Sequence, residues 1–328
     1  MNQSMLNNSF SSQLKKLDQI LAKSAKESNK AEFLFNSNAR TPFFMLESIF
    51  RILRKIDAKN NTEFWYEEFK YLEDALGKID YYHFFAKELQ TKKTISEKTI
   101  YYFVENQNKS FAELNTHLNQ KKWFTKTGLE NLNKDVIAIC NSVTEKQILS
   151  EILKEIEKIN AFVKSEIKYT DVELSTHEIR RKLRWISIYC QAFQGLFQMR
   201  HHSKSRIKLE KYLTTEIITS PFNKFPAPAK TQQSVFLKDN YFFALSWIIN
   251  ELGNLKDKGL FVLALTEAIE NTEKTSHTVS FAKACKILGE NKNCITTILK
   301  QTEVLVTEFF EKDVLNKLAK DIKRFNKQ

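Results

Sequence analysis

Glycine and proline are scarce in this chain of 328 residues, which contains 6 Gly and 4 Pro. Together they make up about 3% of the sequence, against roughly 12% in an average protein. So few turn-forming residues cannot supply the many tight turns of a β-sandwich, a barrel or a hairpin sheet. Neither G-x-G-x-x-G nor G-x-x-x-x-G-K occurs, which excludes Rossmann-type and P-loop phosphate sites. The fold class that remains is a mostly helical one.

Long apolar runs and closely spaced cysteines are also missing. The longest apolar stretch, residues 241–249, is interrupted by Ser246 and is far shorter than the roughly 20 residues of a membrane-spanning helix. The first 16 residues lack the basic and apolar regions of a signal peptide, so none is expected. The 4 Cys show no C-x-x-C spacing. We therefore expect a cytoplasmic protein with reduced thiols and no membrane partner.

Positive charge is abundant, but most of it comes from lysine. The chain has 51 Lys and Arg against 39 Asp and Glu, a net charge of +12, and only nine of the cations are Arg. A bias towards Lys, Asn, Ile and Phe is typical of compositional drift, so the lysines alone say little about binding. Arginine is more informative, because its planar guanidinium recognises phosphate and carboxylate groups in a bidentate way. Eight of the nine Arg fall in two short windows, residues 40–54 and residues 180–206.

Apolar residues recur at helical spacing along nearly the whole chain. This periodicity predicts an all-α bundle of about a dozen helices in a single domain, with a first half at 39–170 and a second half at 171–328, preceded by an N-terminal extension at 1–38. Three of the four prolines lie at 220–230, which predicts a surface connection. No strand is predicted. Thr41-Pro42 predicts one helix start, and capping boxes predict two more, at Thr144/Gln147 and Ser175/Glu178. Between residues 171 and 270 the predicted helices span 177–199, 203–218, 235–252 and 260–269.

A weak internal repeat connects the two halves. In each half an arginine-bearing helix is followed by a long helix with a Leu-Gly pair and a nearby Asp. The first copy is residues 76–80 and the second is residues 252–257. This order of elements predicts a diverged duplication and two pseudo-symmetric halves.

The helix predicted at 177–199 carries the strongest functional signal. At 100° per residue its apolar positions share one face, which predicts the side that packs on the core. The basic residues share the opposite face and form a ridge. The apolar set is Ile179, Leu183, Ile186, Cys190, Phe193 and Phe197, and the basic set is His177, Arg180, Arg181 and Arg184.

The excess of positive charge is concentrated around this helix. Residues 177–208 hold eight cations and one acid, a net +7, whereas the other 296 residues carry only +5. A run of like charge costs stability, and a bound polyanion would compensate for it. A solvated helix face is the structural alternative, although such faces usually mix both signs. The candidate polyanion contacts here are His177, Arg180, Arg181, Arg184, Arg200, His201, His202, Lys204, Arg206 and Lys208.

A helix predicted from residue 40 to residue 56 repeats this pattern more weakly. Arg40, Arg51 and Arg54 fall roughly on one face, and they complete the set of candidate polyanion contacts. Glu47 stands one turn before Arg51 and is expected to neutralise part of the ridge. A binding role and a purely structural role are equally supported for these three arginines.

These features resemble the CHAD family, the conserved-histidine α-helical domains. The resemblance rests on residues 177–185, His-Glu-Ile-Arg-Arg-Lys-Leu-Arg-Trp, and on the Leu-Gly…Asp segments of both halves. It implies two helical halves whose basic helices face a shared groove, and binding of inorganic polyphosphate without catalysis. It also implies that His177, Arg180 and Arg184 contact the phosphates. The chain departs from the family pattern at Ser187, where a basic residue is usual, and at Phe43, Phe44 and Glu47, where a His and an Arg are usual.

Motifs for catalysis or metal binding are not found. There is no H-E-x-x-H, and the adjacent His201 and His202 point about 100° apart on a helix, which does not suit one shared metal ion. There is no G-x-S-x-G and no context that would activate a cysteine. We therefore predict no cofactor, no metal and no enzymatic activity.

The sequence thus predicts a non-enzymatic protein that binds a polyanion, with inorganic polyphosphate preferred. Two alternatives stay open. In the first, the chain is a structural or interaction module whose basic ridge docks an acidic protein. In the second, it binds nucleic acid without sequence preference.

Overall fold

Helices form almost all of the regular structure in the computed structural model, which describes residues 5–92, 94–165, 167–203, 206–229 and 232–325. The all-α fold predicted from the sequence is confirmed. The helices up to residue 165 are α1 (Met5–Ser24), α2 (Lys30–Asn36), α3 (Arg40–Leu53), α4 (Thr62–Gln90), α5 (Glu97–Gln120), α6 (Lys126–Ser142) and α7 (Glu145–Ser165). The later ones are α8 (Glu178–Ala192), α9 (Arg206–Leu209), α10 (Thr215–Thr219), α11 (Asp239–Glu273), α12 (His277–Leu288), α13 (Cys294–Glu311) and α14 (Val314–Phe325).

Local sequence accounts for the starts of α3 and α7. The capping box predicted at Thr144 is confirmed, because its backbone N–H donates to Gln147 Oε1 at 2.9 Å and its hydroxyl accepts the N–H of Gln147 at 3.4 Å. The start predicted at Thr41 is slightly late, since α3 begins at Arg40. Pro42 therefore lies in the first turn, where its missing N–H leaves no helical hydrogen bond unmade.

The capping box predicted at Ser175 and Glu178 is wrong. The side chain of Asp171 caps this region instead, accepting the N–H of Leu174 at 2.9 Å, while the Ser175 hydroxyl donates to the carbonyl of Asp171. A π-helical turn, Val172–His177, then leads directly into α8. Asp171 has extended backbone angles, which let its carboxylate reach the free N–H groups of the first turn.

The basic helix is shorter than predicted, since α8 ends at Ala192 instead of continuing to residue 199. Gly195 follows with φ of +75°, and a Cβ at this position would lie 2.5 Å from the Cα of Pro228. Beyond this turn, β1 (Phe197–Arg200) pairs in parallel with β2 (Val235–Lys238), with Phe197 opposite Val235. The prediction of no strand is therefore wrong for these eight residues. Pairing with β2 supplies backbone hydrogen bonds that a helix would otherwise provide.

Two other helix predictions differ from the structure in opposite ways. The helix predicted at 203–218 is broken into α9, a 3-10 turn and α10, because Thr214 is extended and its hydroxyl accepts the N–H of Ile217 at 3.4 Å. The helices predicted at 235–252 and 260–269 are joined in α11, which has 35 residues. Gly253 and Gly259 do not interrupt α11, since each is covered by a neighbouring side chain.

One hydrophobic core contains residues from both predicted halves. The face of α8 predicted to be apolar is buried in it, with Ile179 and Leu183 fully inaccessible to solvent. Helices α3 and α8 meet at the rings of Phe44 and Trp185, whose centroids are 5.1 Å apart. This contact places the N-terminal part of α3 beside the middle of α8. Within the described ranges, no helix combines the length and apolar character needed to cross a bilayer.

Candidate anion-binding groove

Three of the predicted arginines meet at one cavity of about 430 Å³. Arg40 enters it from α3, and Arg180 and Arg184 enter it from α8. We call this cavity the arginine groove. It lies between the two predicted halves. Its other lining residues are Asn38, Thr41, Phe44, Met45, Glu73, Ser187, Ile188, Gln191, Ile217, Ser220, Phe222, Asn223, Ser246, Ile249, Asn250, Gly253, Asn254 and Asp257.

Arg40 is held against α4. Its Nε donates to Glu73 Oε1 at 2.8 Å, and its Nη1 donates to Asp80 Oδ2 at 3.0 Å. The guanidinium covers Gly77, where a Cβ would lie 2.7 Å from Nη2. Any residue larger than glycine at this position would displace the guanidinium from α4.

Arg180 is held against α11 in a similar way. Its Nε donates to the carbonyl of Ile249 at 3.2 Å, and a Cβ on Gly253 would lie 3.0 Å from the same nitrogen. Burial lowers the pKa of Arg180, while the negative charge of Asp257 raises it. Each Leu-Gly…Asp segment of the sequence therefore supplies one glycine and one aspartate to an arginine of the groove.

Arg184 forms no hydrogen bond or ion pair with the described residues. Its guanidinium lies 4.7 Å from the ring centroid of Phe44. Water reaches the side chain through the groove, but protein atoms surround it closely enough that burial lowers its pKa to about 10, with further contributions from the positive charges of Arg180 and Arg40. The groove thus holds a cation that forms no ion pair with any described residue, and the negative charge of Glu73 offsets the lowering of its pKa only in part.

Glu47 lies near these arginines, and its side chain is 4% exposed. Burial, followed by repulsion from Glu73 and Asp74, raises its pKa to about 8. At neutral pH the carboxyl is therefore mostly protonated and cancels little of the charge of Arg184. The sequence predicts that Glu47 neutralises Arg51, but the two form no ion pair among the described residues. Arg51 pairs instead with Glu155, with 3.9 Å between Nη2 and Oε2.

Uncharged polar groups that were not predicted from the sequence complete the groove. Gln191 Nε2 donates to the carbonyls of Phe222 and Lys224 at 2.8 and 3.1 Å. The Ser246 hydroxyl donates to Asn223 Oδ1 at 2.5 Å. The proline-containing segment predicted as a surface connection therefore forms one wall of the groove. No sequence pattern signals this wall, because its residues come from three distant segments.

His177 and Arg181 do not line the groove, although the sequence grouped them with Arg180 and Arg184. His177 Nδ1 is 2.5 Å from Glu173 Oε2. Arg181 Nη2 lies 2.7 Å from Glu178 Oε2. The charge count of the ridge did not include Glu173, because it precedes residue 177. Much of the ridge is thus paired within the protein.

Arg51 and Arg54 are also held by protein groups. Arg51 Nη1 is 3.3 Å from Tyr66 Oη, and its guanidinium is 4.7 Å from the ring centroid of Trp185. Arg54 Nη1 is 2.6 Å from Glu63 Oε1, and its guanidinium lies 3.7 Å from the ring of Tyr66. These contacts join α3 to α4, α7 and α8 and lie outside the arginine groove.

The remaining predicted contacts lie away from the groove or outside the described residues. His201 Nδ1 is 2.9 Å from Asp239 Oδ2, and the backbone N–H of His202 donates to Asp239 Oδ1 at 3.1 Å. Arg200 and Lys208 are exposed and do not line the groove. Lys204 and the side chain of Arg206 lie outside the described part of the chain.

Comparisons with known proteins do not identify the groove. The chain matches no protein-family model, no curated protein and no solved structure. The resemblance to the CHAD family stays a prediction. Across the described residues, no three His, Cys, Asp or Glu side chains are grouped so that they could hold a metal ion.

Proposed function

We propose that the arginine groove binds a polyanion, with inorganic polyphosphate preferred, and that the chain is a diverged relative of the CHAD family. One observation carries the proposal: Arg40, Arg180 and Arg184 come from two distant helices and line the same cavity. A guanidinium can hold two oxygens of one phosphate at a time. Three guanidinium groups along one groove therefore suit a ligand with several successive phosphates.

The charges around Arg184 favour an anion as the ligand. Its pKa is lowered to about 10, first by burial and then by the positive charges of Arg180 and Arg40, which outweigh the opposing negative charge of Glu73. A phosphate beside this guanidinium would supply an ion-pair partner that no described residue provides, and it would reduce the repulsion from Arg180 and Arg40. Glu47 is mostly protonated at neutral pH, because its pKa is raised to about 8. It therefore does not compete with a bound anion.

The proposed activity is reversible binding without covalent chemistry. The side chains of Ser187, Asn250 and Asn254, which donate no hydrogen bond to the described residues, can donate to phosphate oxygens in addition to the three guanidinium groups. Such binding is largely electrostatic and weakens as salt is added. The ligand would neutralise the groove without displacing the ion pairs that hold Arg40 to α4.

The proposal is tested by measuring the affinity for long-chain polyphosphate over a salt series. The test variant carries Arg180→Ala and Arg184→Ala. The control carries Arg54→Ala and Arg181→Ala, which remove the same two charges outside the groove. We expect the test variant to bind at least about 30-fold more weakly and to reduce the slope of log affinity against log salt by about 1.4, by analogy with single-stranded nucleic acids. We expect the control to bind within about threefold of the wild type.

Single-stranded RNA of matched charge and an acidic protein serve as competing ligands in the same assay. Polyphosphate binding that is absent at low salt contradicts the proposal, and so does a test variant that binds as well as its control. RNA binding of equal strength would instead support a nonspecific nucleic-acid binder. Selective binding of the acidic protein would support an interaction module.

A further inference from the structure

A second cavity, of about 460 Å³, lies between α4, α6 and residues 121–123. Three aromatic side chains line it, those of Phe64, Trp65 and Trp123. Two carboxylates line it as well, those of Glu68 and Asp135. We call it the tryptophan cavity. It shares no lining residue with the arginine groove and is independent of the function proposed for that groove.

Each carboxylate of this cavity is fixed by an indole. Trp123 Nε1 donates to Glu68 Oε1 at 2.6 Å, and Trp65 Nε1 donates to Asp135 Oδ2 at 2.8 Å. Second contacts hold the same oxygens: His117 Nε2 is 2.7 Å from Glu68 Oε1, and Asn61 Nδ2 donates to Asp135 Oδ2 at 3.1 Å. The other oxygens, Glu68 Oε2 and Asp135 Oδ1, accept no hydrogen bond from the described residues. The cavity thus presents carboxylates that are fixed in position and have capacity for a further donor.

The aromatic rings form a continuous apolar surface beside these carboxylates. The centroids of Phe64 and Trp65 are 4.9 Å apart, and those of Trp65 and Trp123 are 6.4 Å apart. Both tryptophans are buried, whereas Phe64 is 48% exposed. Aromatic faces attract organic cations through their quadrupoles, and the attraction is strongest when the site is shielded from water.

Two lysines, Lys121 and Lys134, also line this cavity, but their side chains are exposed to solvent. Lys121 Nζ lies 5.6 Å from the ring centroid of Phe64 and 4.0 Å from Glu68 Oε2. A protein ammonium group therefore already approaches the aromatic and carboxylate groups. Lys121 and Lys134 are exposed and can move into solvent, whereas Glu68 is buried and cannot. The fixed charge of the cavity is negative, which favours a cationic ligand over an anionic one.

We propose that the tryptophan cavity binds a small organic ammonium ion with an apolar or aromatic body. The body would pack on Phe64, Trp65 and Trp123, and the ammonium group would lie beside the carboxylates of Glu68 and Asp135. A cavity of a few hundred Å³, lined by aromatic side chains and a few fixed polar groups, has the general character of a small-molecule site. Binding at this site uses neither the arginine groove nor its ligand.

The proposal is tested with two cations and their uncharged counterparts. Choline is compared with 3,3-dimethylbutan-1-ol, and phenethylammonium is compared with 2-phenylethanol, by calorimetry and by quenching of tryptophan fluorescence. We expect at least one cation to bind, and to bind at least about tenfold more tightly than its uncharged counterpart. The proposal is overturned if neither cation binds, or if the uncharged molecules bind as tightly.

Three single variants then locate the site. Asp135→Asn keeps an acceptor for Trp65 and Asn61 but removes the charge, so we expect at least about tenfold weaker cation binding. Lys134→Ala removes a competing cation and should leave binding unchanged or tighten it. Glu157→Gln, at an exposed carboxylate that pairs only with Lys323 among the described residues, is the control and should have no effect. Weaker cation binding by Lys134→Ala, or full binding by a folded Asp135→Asn variant, would overturn the assignment, with circular dichroism checking the fold.

Discussion

Glycine is scarce in this chain, yet two of its six glycines lie inside long helices and directly beneath arginines of the groove. A helix-interior glycine is about 1 kcal/mol less favourable than alanine. The close contacts of Gly77 with Arg40 and of Gly253 with Arg180 explain why glycine occupies these positions despite this cost. A Cβ would lie 2.7 Å from Arg40 Nη2 and 3.0 Å from Arg180 Nε. The glycines therefore determine how deeply the two guanidinium groups lie in the groove.

Replacing Gly77 or Gly253 by alanine is expected to change stability and binding in opposite directions. The guanidinium is the flexible end of a long side chain, so the helix can accept the methyl group and gain up to about 1 kcal/mol in free energy of unfolding. The displaced guanidinium should weaken polyphosphate binding about fivefold, the equivalent of roughly 1 kcal/mol. Urea denaturation and a binding titration measure the two effects.

Gly259→Ala is the matched control for these two variants, because a Cβ there would contact Val172 and no arginine. We expect it to leave polyphosphate affinity unchanged. Unchanged affinity in both Gly77→Ala and Gly253→Ala would show that the glycines do not position the groove.

The raised pKa of Glu47 predicts how stability depends on pH. Between its ordinary pKa of 4.5 and its folded value of about 8, only the folded chain keeps the proton. The free energy of unfolding should therefore fall as pH rises through this window, and the contribution of Glu47 should be constant below and above it.

Glu47→Gln should remove this dependence, because the amide cannot ionise. One pKa unit corresponds to about 1.4 kcal/mol, so we expect the variant to exceed the wild type in stability by at least about 2 kcal/mol at pH 9 and to match it near pH 4. Denaturation with urea across this pH range measures the difference. Equal stability of the two proteins at pH 9 would contradict the raised pKa.

At the scale of the elements, periodicity predicted which segments are helical but not how each helix ends. The apolar face of α8 follows from the 3.6-residue spacing and is buried as expected. The end of α8 depends on Gly195 and on pairing with a strand that begins at Val235. That pairing is tertiary, so a local pattern does not reveal it. For the same reason the sequence did not show that residues 217–223 form a wall of the groove.

Arg51 and Arg184 illustrate two different roles for arginine on the α3 and α8 pair. Arg51 contacts Tyr66, Glu155 and Trp185 and so joins α3 to three other helices. Arg51→Ala should therefore lower the free energy of unfolding by about 2–3 kcal/mol, because it removes a partly buried ion pair and a cation–π contact.

Arg184→Ala is expected to behave in the opposite manner. It removes a cation that contacts the ring of Phe44 but forms no ion pair with the described residues and is repelled by Arg180 and Arg40, so the free energy of unfolding should stay the same or rise. Chemical denaturation of both variants without ligand compares the two roles. A larger loss of stability in Arg184→Ala than in Arg51→Ala would contradict this division between a structural arginine and a ligand-binding one.

At the scale of the whole molecule, the concentration of charge in the sequence was only a partial guide to the site. The net +7 of residues 177–208 already counts Glu178, which pairs with Arg181, but not Glu173 and Asp239, which contact His177 and His201 from outside this window. The groove forms where Arg40, far away in sequence, meets Arg180 and Arg184. A count of charges along the chain does not include acids or arginines that arrive from elsewhere. This is why the sequence identified these three arginines but grouped them with residues outside the groove.

The most direct test of the account compares two single variants of the same helix. Arg181→Ala and Arg184→Ala each lower the net charge of the protein by one, but only Arg184 lines the groove. At low salt we predict that Arg184→Ala weakens polyphosphate binding by about tenfold or more, a loss of roughly 1.4 kcal/mol, and that Arg181→Ala binds within about twofold of the wild type. Equal effects of the two variants would contradict a specific groove and leave only a general attraction of anions to a basic helix.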